Sequence, residues 1–369
     1  MSKKTTCGNC GTVHKSYYDH KTRLVRDLSC GSKRIYLEVD IRRVKCGQCG
    51  KVKQEKLPWI ADNPWYTKRF SFDVGRRCRS STIRDVAKEF RIDWKTVKEL
   101  DKQYMRAQLK RFGTPTPRVI GIDEISIKKG HEYRIVISDL IRRRAIWFGG
   151  KDRKEKSMDL FYDWLGPKKS KKIQLAVMDM WAAFANSAEK NIPHADILYD
   201  KFHVMSHLGK AMDTIRKLEY KRVTGENRNY IKGHKYTLLS RKKNLTLKGR
   251  KGLKELLKVN KRLNTAYLLK ESFSQLWLYQ QEGWARRFFD NWKASLKWQR
   301  LKPYEKFAEM VENHWSGVAA YCKPENKGIP LGFVEGLNNK IRVLQRRAYG
   351  IKDDEYLRLK VLTCCLPKI

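Results

Sequence analysis

Long apolar runs are missing from this chain of 369 residues. None approaches the ~20 residues of a membrane-spanning helix, and the opening MSKKTTCGNC holds no apolar signal segment, so a cytoplasmic protein is expected. Acidic residues are scarce too: 39 Asp and Glu stand against 81 Lys and Arg, a formal net charge of +42 with a pI near 10.0. The excess runs along the whole chain instead of gathering in a tail. Such a surface attracts nucleic acid through phosphate neutralisation and counterion release. A ribosome-associated protein or a membrane-surface binder would share the charge but has no need of the acidic residues described below. Cysteines number nine, too few at this length for a disulfide scaffold. The length itself exceeds what one core usually organises, so two or three domains are expected.

Four of the cysteines are patterned. Cys7/Cys10 and Cys46/Cys49 form two C-x-x-C pairs, each followed by Gly, as in the knuckles of zinc ribbons. Gly tolerates the positive φ that a knuckle demands. Between the pairs, RIYLEVDIRRVK alternates as one arm of a β-hairpin does. Structural Zn²⁺ on Cys7, Cys10, Cys46 and Cys49 is therefore expected. A thioredoxin-type redox pair would show one such motif near a βαβ unit, not two joined by strands. Cys30 could replace a ligand but lacks a partner at knuckle spacing. Cys78, Cys322, Cys364 and Cys365 read as buried or incidental thiols.

After LPWIADNPWYT the pattern turns helical. Ser81 precedes TIRDVAKEF, then RID, then WKTVKELDKQYMRAQLKRF, with Asp93 placed to cap the second helix. Two helices joined by so short a turn read as a helix-turn-helix, with Lys95, Thr96 and Lys98 near the start of the recognition helix. An ordinary helical hairpin between two domains has the same pattern; the basic run Arg76, Arg77, Arg79, Arg84 favours DNA. GTPTPR then marks a domain boundary, because Pro115 and Pro117 interrupt both helix and ladder.

Three acids stand out among the few: Asp123 in VIGIDEISI, Asp179 in LAVMDMWAAF and Glu335 in GFVEGLNNKIRVLQRR. The first two end apolar β-branched runs that read as buried strands, so their carboxylates would emerge in the crevice where α/β folds place ligands. The third reads as helical, with Asn339, Arg342 and Arg346 continuing a polar, basic stripe suited to DNA. Carboxylates able to reach one point are what a two-metal phosphoryl-transfer site requires. Asp179 could instead cap a helix starting at Trp181, and Glu124 would point to the opposite face of its strand from Asp123. The order around them is three meandering strands, a helix, a strand, a helix and a last strand. A helical insertion over about 205–315 follows, basic first and then rich in tryptophan. Its aromatics read mainly as packed helix faces, with a minority available to stack on bases.

The strand, strand, helix order of these acids resembles the RNase H-like DDE transposases of bacterial insertion sequences, and more narrowly the ISL-three family. The stretches that carry the resemblance are CGNC at 7–10, CGQC at 46–49, GIDE at 121–124, MDMWAAF at 178–184, YDKFHV at 199–204 and GFVEGLNNKIRVLQRRAYG at 332–350. They span nearly the whole chain. The resemblance implies an α/β protein: a zinc ribbon (1–57), a helix-turn-helix domain (64–112) and an RNase H-like mixed-sheet catalytic domain (118–369) carrying the all-helical insertion. It implies that Asp123, Asp179 and Glu335 hold two Mg²⁺, with Mn²⁺ able to substitute, and that Asp200 and His203 support them. Water would attack first to free a 3′-hydroxyl at the element end, which then attacks target DNA. The implied partners are double-stranded DNA, as terminal inverted repeats and target, and further copies of the chain in a dimer or larger assembly at the nucleoid. A DNA-binding regulator that does not cut, or an RNase H-like nuclease without strand transfer, would keep parts of the same pattern.

Overall fold

The computed structural model describes residues 4–128 and 132–369. The chain divides into two compact units, Met1–Thr114 with Asn339–Ile369, and Pro115–Asn338. In the first, β1 (Thr5–Thr6) pairs with β2 (Val13–His14), and β3 (Asp19–Arg26), β4 (Tyr36–Lys45) and β5 (Val52–Gln54) form an antiparallel sheet. The alternating segment is the strand its pattern implies: β4 pairs with β3 from Tyr36↔Arg26 to Arg43↔Asp19, and Val25, Ile41 and Ile60 pack beneath. Buried Asp27 accepts from the Thr67 hydroxyl at 2.8 Å and from Arg69 Nε at 2.6 Å, tying this sheet to the start of α1 (Lys68–Arg77).

The next two helices are α2 (Ile83–Phe90) and α3 (Trp94–Phe112). Arg91, at φ 51°, turns the chain between them. Asp93 caps α3 as its position implies, accepting from the Lys95 amide at 2.8 Å. Thr82 caps α2, its hydroxyl oxygen accepting from the Asp85 amide at 3.1 Å. Phe70, Val74, Val86, Val97 and Leu100 close one core among the three helices, which makes the element a helix-turn-helix with a supporting first helix.

The second unit is built on a five-stranded mixed sheet. A meander of β6 (Val119–Lys128), β7 (Glu132–Asp139) and β8 (Arg144–Gly149) is followed by α4 (Glu155–Leu165), α5 (Pro167–Ser170), β9 (Leu175–Met178), α6 (Ala182–Asn191) and β10 (Asp196–Tyr199). The sheet order is β10-β9-β6-β7-β8, with β9 parallel to β6 and β10 parallel to β9. This is the RNase H-like arrangement. Next comes the helical insertion, α7 (Lys201–Arg222), α8 (Gly225–Gly233), α9 (Lys235–Leu239), α10 (Leu247–Val259), α11 (Lys261–Phe273), α12 (Glu282–Ser295), α13 (Lys302–Asn313) and α14 (Trp315–Ala319). Its Phe273, Phe289 and Trp292 are core residues, continuous with the core under one sheet face, whereas Trp284 and Trp298 are exposed. The chain returns as α15 (Gly332–Arg347). Phe333 and Val334 of that helix pack with Leu175, Val177 and Leu198 on the other face of the sheet.

The boundary between the units falls inside α15, and the last helix, α16 (Asp354–Thr363), packs on α3. The last helix thus joins the core of the first unit, although it lies within the 118–369 stretch expected for the catalytic domain. The reason is electrostatic as well as apolar. Asp101, fully buried in α3, lies 2.6 Å from Lys360 Nζ and accepts from the Tyr356 hydroxyl at 2.5 Å. Lys98 reaches Asp353 at 2.7 Å, and Lys102 reaches Asp353 and Glu355 at 3.0 Å each. These cations hold Asp353 well below the ordinary carboxylate range, against the burial that opposes it. Asp101→Ala would leave Lys360 buried without its counter-charge. A loss of about 3–5 kcal/mol is expected in denaturant unfolding of the full chain, against under 1 kcal/mol for Asp73→Ala, whose pair with Arg76 is exposed.

Candidate active site and zinc centre

The sheet register brings the first two acids together. Gly121 of β6 lies opposite Val177 of β9, and two residues further along stand Asp123, within β6, and Asp179, just past the end of β9. Two-residue periodicity puts both carboxylates on the face of Val119 and Val177, just beyond the point where the β6–β9 ladder ends. It is the face that α15 covers: a Cβ on Gly121 would meet Val334 Cγ2 at 2.7 Å, so only glycine allows the helix this close. Asn338, one turn beyond Glu335, is buried and donates from Nδ2 to Asp123 Oδ2 at 2.6 Å. Asp123 Oδ1 accepts from the Glu124 amide at 2.8 Å. Asp179 Oδ1 accepts from the Met180 amide at 2.6 Å and caps nothing, since α6 starts three residues later without a side-chain cap. Glu335 itself is exposed. The three carboxylates do not form a tight cluster; among the described residues only the four cysteines below bring three or more candidate ligand atoms within 4.8 Å of one another.

Electrostatics mark the same spot. Burial, with the charges of Glu124 and Asp179 adding to it and the Glu124 amide and His203 opposing, lifts the Asp123 carboxyl to about 6. A half-buried carboxylate with raised affinity for a proton is a site whose charge a cation would relieve, and hard oxygen donors fit Mg²⁺ or Mn²⁺. Asp200 ends the parallel series: its amide donates to the Met178 carbonyl at 2.9 Å, and its side chain caps α7 through the Phe202 amide at 2.9 Å. His203 Nδ1 stands 3.4 Å from Asp200 Oδ2. Asp200 chiefly, with Asp179 and Asp123 adding against the burial, raises the imidazole to about 9, so it is cationic at neutral pH. Glu124, on the opposite strand face, is ion-paired to Arg153 at 3.1 Å.

In the first unit Cys10 Sγ lies 3.5 Å from Cys46 Sγ, and Cys7 Sγ lies 3.9 Å from Cys49 Sγ. Tetrahedral Zn–S bonds of ~2.3 Å put sulfurs ~3.8 Å apart, whereas a disulfide would need ~2.05 Å. Gly11 and Gly50, at φ 82° and 65°, close the two knuckles. Thr12 hydrogen bonds hold the Cys10 thiol down at about 6. Cys30 is exposed and outside the cluster.

Three family models match the chain in order: the zinc-finger of transposases IS204/IS1001/IS1096/IS1165 over residues 3–49, the helix-turn-helix domain of transposase family ISL3 over 55–105, and the ISL3 DDE transposase domain over 120–361. The chain belongs to the ISL3 family of transposases. It is 32% identical to the transposase for insertion sequence element IS1001 of Bordetella parapertussis, over 98% of this chain and 88% of that protein. It is 27% identical to the transposase for insertion sequence element IS1557 of Mycobacterium tuberculosis, over 95% of this chain and 83% of that one. No helix among the described residues is long and apolar enough to cross a membrane.

Within this transposase the expected DNA contacts separate into two groups. Lys95 is exposed at the start of α3, and Asn339, Arg342 and Arg346 are exposed on α15, with Arg342 donating to Asn339 Oδ1 at 3.1 Å. Thr96 is half-buried and hydrogen-bonded to Tyr66. Lys98, expected to face DNA, is held by Asp353 instead. Asn338 is absent from the residues expected on sequence grounds, which follow the i+4 neighbour of Glu335. The sequence does carry its signal: Val334, Leu337, Asn338 and Ile341 share one helical face, and that face is the buried one. One zinc per chain is expected by elemental analysis, and Cys46→Ser should release it and loosen residues 5–55 to hydrogen exchange. Full zinc in a Cys7/Cys46 double serine variant would reject this ligand set.

Proposed function

We propose that this transposase binds the ends of its insertion sequence and cuts and joins DNA strands at Asp123, Asp179 and Glu335. The observation that carries the reading is the register that sets Asp123 beside Asp179 on the sheet face covered by α15, with Asn338 fixing the turn after Glu335 against Asp123. The three carboxylates would hold two Mg²⁺, which supply charge for the attacking and leaving oxygens of an in-line displacement. Asp123 comes from within β6 and Asp179 from just past the end of β9, and both present oxygens without reorganising. Glu335, exposed on its helix, completes the set when DNA and metal are present. Asn338 holds Asp123 in one orientation. Cationic His203 offsets carboxylate charge that would otherwise repel phosphate, and Asp200 keeps the imidazole charged and placed.

A non-cutting regulator has no use for carboxylates that repel its ligand, and a nuclease without joining is told apart by its products. Asp123→Ala, Asp179→Ala and Glu335→Ala should each abolish both cleavage of an element end and joining of a pre-cleaved end, because ligands of one site do not act additively. Activity should need Mg²⁺ or Mn²⁺ and stop with Ca²⁺, whose ligand geometry is longer and looser. Joining at wild-type rate by Glu335→Ala would remove Glu335 from the reading.

DNA recognition is assigned to the exposed start of α3. Lys95→Ala should weaken binding to element ends and lower the salt slope by about one. Lys98→Ala should change binding less and cost stability more, through Asp353. The reverse pattern in a filter-binding salt titration would place the DNA on the other flank of α3.

A further inference from the structure

On the strand face opposite Asp123, where Glu124 points, stands a cation that the apolar core does not account for. Arg153, between β8 and α4, has its guanidinium carbon 4.3 Å from the centre of the Tyr133 ring and 4.8 Å from that of Trp181. Nη1 donates to Glu124 Oε1 at 3.1 Å, and the Arg153 carbonyl accepts from the Trp181 indole N–H at 2.9 Å. Two rings, a carboxylate and a backbone bond thus fix one side chain that remains 34% exposed. Its Nε and Nη2 have no acceptor among the described residues. An arginine serving only a surface ion pair needs one partner and contributes little. Here the guanidinium plane is set in advance, which removes most of the ordering cost of a later contact.

The holding residues are the neighbours of the proposed catalytic acids. Glu124 follows Asp123, and Trp181 lies two residues after Asp179. We propose that Arg153 contacts one phosphate of the DNA strand as it passes from the catalytic acids to the opposite face of β6, with Nε and Nη2 as paired donors. The inference rests on the reading of Asp123, Asp179 and Glu335 as the reacting centre. A planar fork matches two phosphate oxygens bidentately, which a lysine cannot do. Glu124 is then the residue that orients this arginine, not a metal ligand. Nothing local in the sequence marks Arg153, since Tyr133 and Trp181 reach it from separate elements.

The test is a substitution cycle on the full-length protein with element-end duplexes, each carrying a single methylphosphonate at one position around the cleavage point. That change removes one phosphate's charge. With wild-type protein one such position should slow cleavage about tenfold, the size of a lost phosphate contact. Arg153→Ala should be slowed to a similar degree on unmodified DNA, and the same methylphosphonate should then slow it no further, while the other positions keep their effects. Trp181→Phe should behave as wild type, and Trp181→Ala should show part of the Arg153→Ala loss. Should the alanine variant fail to fold, Arg153→Lys carries the same cycle, since it keeps the charge and loses the fork. Effects that multiply at every position in a folded Arg153 variant would overturn the proposal and leave Arg153 a tether for its loop. The underlying reading is judged separately: normal cutting by Asp123→Ala would sink it whatever Arg153 does.

Discussion

The hydrogen bond from Asn338 to Asp123 joins residues 215 positions apart, and the candidate site depends on it. A buried amide thereby gives its Nδ2 donor a half-buried carboxylate as partner, while Asn338 Oδ1 has none among the described residues. The bond fixes both the depth and the rotation of α15 over the sheet. Gly121 sets the closeness of approach by leaving room for Val334. Everything between β10 and α15 must therefore fold so that the helix comes back to one spot. The helical insertion achieves this by sharing its core with the sheet: Leu208, Met212 and Ile215 of α7 belong to the same apolar cluster as Ile120 and Met178.

Charge is the second constraint. In a chain of net charge +42 the crevice is a place where acids outnumber their partners. The protein manages this locally rather than through its overall field. Asp123 is made less acidic by burial, His203 is made more basic by Asp200, and Glu124 is neutralised by Arg153. A centre prepared in this way would suit the cations proposed for it and an approaching phosphate.

Much of this is legible in the amino-acid sequence. The C-x-x-C pairs, the alternating β4 segment, the Asp93 cap and the apolar runs ahead of Asp123 and Asp179 are local patterns, and local patterns survive folding. The rest depends on contacts between distant residues. Lys98 looks like a DNA contact until Asp353 is found beside it, and nothing near either residue announces the pair. The same holds for Asp101 with Lys360 and Tyr356, the contacts that dock the C-terminal segment on α3. Two adjacent asparagines, 338 and 339, differ only in helical phase. The apolar stripe of α15 tells which of them is buried.

The central claim is that Glu335 joins Asp123 and Asp179 around shared metal, although its carboxylate stands exposed on α15. Mn²⁺ binding measured by calorimetry and electron paramagnetic resonance, with the protein bound to a cleaved element end, tests this most directly. The account predicts that Asp123→Ala, Asp179→Ala and Glu335→Ala each remove Mn²⁺ seen with wild-type protein while the complex with DNA persists. Wild-type Mn²⁺ stoichiometry and affinity in Glu335→Ala would contradict it.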